Sequence, residues 1–333
     1  MTSVLVLGGT NFVGAALIDE ALRRDWRVSA LHRGNRPTPE GVTDLLGDRT
    51  TPEGLAALGN GEWDLVADTW SLAPRVVRDS ARALAGRAGH YAYVSSCSVY
   101  GLPCPPGQDE GGTVVEGSPD AEAVDYASDK RGAELAVAEA FGERGVYARA
   151  GLILGPRENV GRLPWWLRRL ARGGVVPAPG PRDLPLQYVD ARDLAAWTWD
   201  AAARGLTGPY NLVSRPGHTT MGELLDTALG VTGDRATLRW VSPEQVARAG
   251  VEPWSQLPIW LPPGELHDSL QRLDVERAHA TGLRCRPVAE TVADTWRWLA
   301  EWGDAPLVGP RAVRHGTSPD QERRLLEVAE AGE

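Results

Sequence analysis

Tyr126 and Lys130 are four residues apart, a spacing that puts both side chains on one face of a helix. A lysine ammonium beside a phenol lowers the phenol's pKa from about 10 toward working pH. Such a tyrosine can protonate a carbonyl oxygen or deprotonate a hydroxyl. Tyr–Lys pairs at this spacing also arise by accident, so the surroundings matter. The pair follows a serine-rich segment, Ser95-Ser96-Cys97-Ser98, from which Ser96 could hydrogen-bond the same substrate oxygen. The chain also opens with Gly8-Gly9-Thr10-Asn11-Phe12-Val13-Gly14 directly after an apolar run at 4–7. A glycine turn between a buried strand and a helix leaves free N–H groups at a positive dipole end, which suits a pyrophosphate. Together these groups predict proton transfer coupled to hydride transfer at a nicotinamide dinucleotide.

The second strand, expected over 27–31, ends in His32-Arg33-Gly34-Asn35-Arg36. An acidic residue there would take the adenine ribose hydroxyls of NAD. None is present, and the guanidinium groups of Arg33 and Arg36 suit a 2′-phosphate. NADP(H) is therefore expected over NAD(H), although both arginines could instead be solvated loop residues. Asp48 could bond the adenine amino group or cap a helix near 51–58. The expected cofactor contacts are Gly8, Thr10, Asn11, Phe12, Val13, Gly14, Arg33, Arg36, Asp48, Thr69, Ser95, Tyr126 and Lys130. Asn11 replaces the usual middle glycine. Its side chain tolerates a left-handed backbone and is expected to reach the cofactor or the loop around Ser95.

The elements that must carry these residues alternate. Strands are expected near 4–7, 27–31, 42–46, 63–68, 89–95 and 146–154, with helices after the glycine turn, over 71–84 and over 126–141. This order implies an α/β fold: a Rossmann-type, doubly wound parallel sheet whose ligand sits beyond the carboxyl ends of the strands. Asp68, Thr69, Trp70 and residues 95–100 should then line the site. The Pro/Gly-rich stretch 102–119 is expected to be a loop over it, with room to move. From Asn159 the composition changes. Helices are expected over 162–172, 190–200, 219–229, 243–249, 274–281 and 288–302, and strands over 186–189 and 210–213. Residues 177–185 should form a loop. We expect a dinucleotide-binding lobe from 1–155 plus about 186–214, and a smaller C-terminal substrate lobe from 156–185 plus 215–302. A linker and closing helix would fill 303–333, with Ser318-Pro319-Asp320-Gln321 as a capping box. Trp70, Ser98, Asn159, Trp166 and Arg182 are candidate substrate contacts, although most of the 13 tryptophans should simply pack cores.

Bulk properties exclude other classes. The net charge of −9 offers nothing to nucleic acid or an anionic membrane. No apolar run is long enough to span a bilayer, and the start lacks a secretory signal. Three cysteines suit reduced thiols, and six scattered histidines have no metal-ligand spacing. A cytoplasmic protein acting on a small molecule, with no metal, is expected.

These pieces carry a resemblance. The chain resembles the extended short-chain dehydrogenase/reductase superfamily, in its NAD-dependent epimerase/dehydratase group. The matching segments are Gly8 to Gly14, Ser95-Ser96-Cys97-Ser98-Val99-Tyr100-Gly101, Tyr126-x-x-x-Lys130, Gly155-Pro156 and Gln187-Tyr188-Val189-Asp190-x-Arg192-Asp193. They cover roughly residues 1–300. The resemblance implies that Tyr126 is the acid/base, Lys130 binds nicotinamide ribose and tunes the tyrosine, and Ser96 orients the substrate. It also implies a homodimer through helices 71–84 and 126–141. Three departures narrow the function. Cys97-Ser98 stands where 4,6-dehydratases carry Asp-Glu, so that elimination is not expected. Pro262-Pro263-Gly264-Glu265 lacks the arginine that holds a nucleotide-sugar diphosphate; Arg162, Arg168, Arg182 and Arg286 are candidate replacements. An epimerase recycles retained NAD, whereas Arg33 and Arg36 lean toward a reductase consuming NADPH. The expected function is NADP(H)-dependent hydride transfer at a ketone or secondary alcohol of a polar, sugar-like molecule, with nucleotide-sugar epimerisation as the alternative. The glycine turn also resembles chloroplast stem-loop RNA-binding proteins, which gives a third, non-catalytic alternative that the acidic balance opposes.

Overall fold

Alternation along β1 (Ser3–Leu7) builds two cores at once. Val4 and Val6 face one layer and Leu5 and Leu7 the other, and all four are fully buried. The structure, a computed structural model, describes residues 1–303, 305–307 and 315–331. β1 is flanked by β2 (Arg27–His32), β3 (Val42–Leu46), β4 (Trp63–Asp68), β5 (Ala88–Ser96), β6 (Gly145–Ala150) and β7 (Gly208–Leu212). All pair in parallel, in the order β7-β6-β5-β4-β1-β2-β3. The α/β doubly wound fold is the one expected. The order reverses between β1 and β4, which opens the usual ligand crevice beyond their carboxyl ends.

Helices cover both faces. α1 (Phe12–Arg23) packs with α5 (Ala191–Ala203), and the Trp199 Nε1–H donates to the carbonyl of Leu17 at 2.9 Å. On the other face α2 (Pro74–Leu84) packs with α3 (Tyr126–Phe141) over Tyr91 and Tyr93. The exposed sides of α2 and α3 carry ion pairs, among them Arg82 with Glu139 at 3.7 Å.

A second core lies outside the sheet. Trp166 of α4 (Arg162–Ala171) and Trp260 are fully buried there, with Leu225 of α6 (Met221–Val231) and Val292 of α7 (Val288–Trp302). Leu325 and Ala329 of α8 (Pro319–Glu330) join it, and Glu322 accepts two bonds from Arg169 Nε at 2.8 and 2.9 Å. The closing helix is therefore part of this core. Its capping box forms through Ser318 and Gln321. Of the linker expected at 303–317, residues 304 and 308–314 lie outside the described residues.

Several expectations need correction. The sixth strand stops at Ala150, because Gly151 turns to bond the carbonyl of Leu212. Residues 153–154 start a separate ladder with Val189–Asp190. The strand expected over 186–189 is divided, since Pro185–Leu186 pairs with Thr219–Thr220 instead. Residues 174–179, partly assigned to a loop, pair in parallel with Ala236–Val241. The stretch 102–119 is a loop, but a pinned one. Gly107 N–H donates to the Arg272 carbonyl at 2.6 Å, Cys104 N–H to Ser269 Oγ at 2.9 Å and Asn211 N–H to Glu110 Oε1 at 2.7 Å. These bonds tie the loop to both parts of the molecule.

Candidate active site

The glycine turn shows why its glycines are needed. Gly8 has φ +92°, which a side chain would strain. A Cβ on Gly14 would lie 2.3 Å from the Gly8 carbonyl oxygen, so only glycine lets α1 start this close to the turn. Asn11 does not take the left-handed conformation expected of it. It is extended (φ −134°, ψ 144°), and Phe12 takes the positive φ of 36°. Asn11 is the N-cap of α1, yet its side chain caps nothing and its Oδ1 is buried without a partner. It makes no hydrogen bond to the loop around Ser95. By contrast, Asp125 caps α3, Asp190 caps α5 and Thr220 caps α6 with their own side chains. An uncapped helix N-terminus fits an incoming anion, as a dinucleotide pyrophosphate would supply, whereas the orphaned Asn11 Oδ1 is an acceptor that only a donor group can complete. Thr10, Phe12 and Val13 complete this turn, and Thr69 Oγ1 donates to the Leu7 carbonyl at 3.2 Å on its other side.

At the end of β2, His32 Nε2 bonds Asp44 at 2.8 Å and Nδ1 accepts from Gly34 N–H at 3.2 Å. Arg33 is exposed, and its charge helps hold the Asp48 carboxyl below its ordinary value, behind the larger effect of two bonds from Thr50. Arg36 lies over the Trp302 ring, 4.9 Å from its centroid. Asp48 is not the helix cap: Thr51 accepts from Gly54 N–H instead, while Asp48 closes a turn on Thr50.

Tyr126 and Lys130 lie on the first turns of α3, as the spacing predicts. Lys130 is 3% exposed, and its Nζ donates to the carbonyls of Val94 (2.6 Å) and Trp70 (2.8 Å). Val94 lies near the carboxyl end of β5 and Trp70 two residues beyond β4, so the edge of the crevice aims the ammonium. Nζ is 4.8 Å from the Tyr93 ring centroid and 5.9 Å from that of Tyr126. Tyr126 is 37% exposed, so its phenol remains reachable. Ser96 ends β5; its Oγ donates to Ser98 Oγ at 3.1 Å and accepts from Ser98 N–H at 3.2 Å. Cys97 is buried with its thiol on the Arg149 carbonyl, and burial pushes its pKa far up, so it supplies no acid for an elimination.

Sequence reasoning missed two buried ion pairs behind these groups. Asp68 was expected to line the site, but it is fully buried and held by both terminal nitrogens of Arg49, each at 2.6 Å, by Tyr91 OH at 2.6 Å and by Trp70 N–H at 2.9 Å. Burial works to raise its pKa, and Arg49 and the hydrogen bonds overcome that and lower it. Glu134, one turn beyond Lys130, accepts from Arg149 Nε and Nη2 at 2.9 Å each. It also accepts from the Ser95 hydroxyl at 2.7 Å, which spends that hydroxyl's one proton. The signal available for Glu134 was its i+4 spacing from Lys130.

The substrate contacts expected in the second core fare less well. Trp166 is corrected outright: its ring is fully buried and its Nε1–H bonds the Pro258 carbonyl at 2.8 Å. Arg182 is exposed, paired with Asp226 and stacked 5.5 Å over Trp240. Asn159 is half-buried beside Glu158, whose carboxylate accepts the N–H groups of Arg162 (2.7 Å) and Leu163 (3.2 Å) at the start of α4. Trp70 is half-buried, its ring 5.5 Å from the Arg49 guanidinium. Among the described residues no His/Cys/Asp/Glu cluster could hold a metal, and no helix is long and apolar enough to cross a membrane.

Residues 4–212 match the NAD dependent epimerase/dehydratase family. No curated protein matches the chain. Among solved structures, the fold is similar to that of the Bordetella bronchiseptica enzyme WbmH in complex with NAD+ (18% identity, 91% of this chain and 100% of that one, TM-score 0.64). It is also similar to Epimerase Mth375 from Methanothermobacter thermautotrophicus (19% identity, 90% and 92%, TM-score 0.66). A third is dTDP-glucose 4,6-dehydratase from Bacillus anthracis in complex with NAD (13% identity, 91% and 98%, TM-score 0.64).

Proposed function

Because the chain belongs to the NAD dependent epimerase/dehydratase family, of the extended short-chain dehydrogenase/reductase type, we propose that it oxidises or reduces a secondary alcohol or ketone on a polar, sugar-like small molecule. The observation that carries this reading is Lys130, buried and fixed by two main-chain carbonyls beside a reachable Tyr126. A bound nicotinamide nucleotide would supply or accept the hydride. The glycine turn, Asn11 and the α1 N-terminus would hold its pyrophosphate, and Lys130 its ribose. Tyr126 Oη gives a proton to the substrate oxygen, or takes one from it. The Lys130 ammonium favours the phenolate that results. Ser96 Oγ, once its hydroxyl turns from Ser98 Oγ, would donate to the same substrate oxygen and fix its position.

The preference for NADP(H) rests on Arg33, since Arg36 is engaged with Trp302 and His32 with Asp44. Epimerisation with retained NAD uses the same proton transfer and is the second reading; WbmH and the dehydratase above were solved with NAD+ or NAD. Dehydration is disfavoured, because Cys97 is buried and no acid stands beside Ser96. Replacing Tyr126 by Phe tests the mechanism. Turnover should fall about 10²- to 10⁴-fold while cofactor affinity, read by nucleotide fluorescence, stays unchanged. Unchanged turnover would overturn the reading. Exchangeable NADP(H) on the purified protein favours the reductase, and tightly held NAD the epimerase.

A further inference from the structure

Lys130 is held by two carbonyls, and the two are not alike. Val94 sits within β5 opposite Ala148 of β6, so the sheet fixes its carbonyl. Trp70 lies two residues past the end of β4, outside the ladder. Its carbonyl has to be fixed by other means, because a buried ammonium stands where its acceptors put it.

Side chains supply those means. Trp70 N–H donates to Asp68 Oδ1 at 2.9 Å, and Asp68 is clamped by both terminal nitrogens of Arg49. The indole Nε1–H donates to the Ala73 carbonyl at 3.0 Å. The Trp70 oxygen itself accepts from Tyr93 OH at 2.9 Å as well as from Lys130 Nζ at 2.8 Å. A carbonyl oxygen has two lone pairs, so one neutral and one charged donor saturate it. Tyr93 is 1% exposed, and its ring centroid lies 4.8 Å from Nζ. One residue therefore acts on the ammonium twice, through its ring face and through the shared oxygen. Burial pushes the Tyr93 phenol well above its ordinary value, so the hydroxyl stays a donor.

We propose that Tyr93 is a positioning residue of the reaction: its hydroxyl and the Lys130 ammonium share the Trp70 oxygen, and this shared acceptor fixes where the ammonium stands beside Tyr126. This deepens the functional reading above and rests on it. Sharing the oxygen also weakens its pull on Nζ. More of the positive charge is then left for the Tyr126 phenol, whose ring centroid is 5.9 Å away. Without the Tyr93 hydroxyl, the ammonium is drawn toward the Trp70 oxygen or held more loosely. Either change reduces its support of a Tyr126 phenolate.

The test is ultraviolet titration of tyrosinate in the intact protein, which needs no substrate. Each protein is read against the same protein carrying Tyr126→Phe, so that the difference is the Tyr126 step. Tyr91, Tyr93, Tyr100, Tyr147 and Tyr188 are all pushed above the ordinary phenol value, chiefly by burial, and stay clear of it. Tyr93→Phe keeps the ring and leaves the Trp70 oxygen on Lys130, so nothing buried is stranded. It should raise the Tyr126 midpoint by about 0.5–1 pH unit, the effect of one hydrogen bond. Tyr91→Phe is the matched control. It removes an equally buried hydroxyl two residues away on β5, one that donates to Asp68 and not to Trp70. Both variants should unfold at similarly lowered urea concentrations, but Tyr91→Phe should move the Tyr126 midpoint by well under half as much. An unmoved or lowered midpoint in Tyr93→Phe, or an equal shift in Tyr91→Phe, would overturn the proposal and leave the catalytic reading standing. If the unaltered protein shows no Tyr126 step below about 10, the catalytic reading falls and the proposal falls with it.

Discussion

Two regions of this molecule treat their polar groups in opposite ways. Behind the reacting residues the buried charges are paired: Asp68 with Arg49, Glu134 with Arg149, and Lys130 with two carbonyls. At the glycine turn the buried Asn11 Oδ1 stays unpaired, and α1 starts without a side-chain cap. Groups that position others are saturated internally, because an unpaired charge in a dry interior is expensive. Groups that must receive a ligand cannot be saturated beforehand. Substitutions in the first region should therefore cost stability, and those in the second should cost binding.

The largest effect expected is from Asp68→Ala. It strands the buried Arg49 charge and should lose about 3–5 kcal/mol, read by urea unfolding. A loss under about 1 kcal/mol would end the distinction drawn here. Glu158 is fully buried at the start of α4, and burial pushes its carboxyl up to about 7 from an ordinary 4.5. The folded state then holds a proton that the unfolded chain has released, so its contribution is complete below pH 4.5 and lost as pH rises through about 7. Stability should fall by on the order of 3 kcal/mol over that window, and Glu158→Gln should flatten it. Gly14→Ala forces a Cβ against the Gly8 carbonyl. A loss of roughly 1–3 kcal/mol is expected, together with weakened nucleotide binding. Asn11→Asp is the smallest in stability, about 0.5 kcal/mol or less, yet should weaken NAD(P) roughly tenfold by placing like charge near the pyrophosphate. If Asn11→Asp cost more in unfolding than in binding, the turn would be a structural element.

Much of this could be read from the residues in order. The apolar run 4–7, the glycine turn and the alternating elements predict the parallel sheet, because strand, turn and helix signals are local and agree with one another. The capping box at Ser318 likewise depends on four adjacent residues. The Arg49–Asp68 and Arg149–Glu134 pairs could not be read, since each joins groups brought together by strand order. Trp166 was misplaced for a related reason: a tryptophan on a basic helix looks alike whether its ring faces a substrate or a core. The contact of Arg36 with Trp302 was equally out of reach, because the two are distant in sequence.

Sequence alone determined the fold class, the Tyr126–Lys130 spacing and the turn that opens α1, all of them properties of neighbouring residues and periodicity. Tertiary structure decided which partner each charge meets. Of the arginines that looked interchangeable in the chain, packing paired Arg168, Arg182 and Arg286 and left Arg162 with a buried nitrogen unpartnered, because hydrogen-bond satisfaction depends on what the fold brings within about 3 Å.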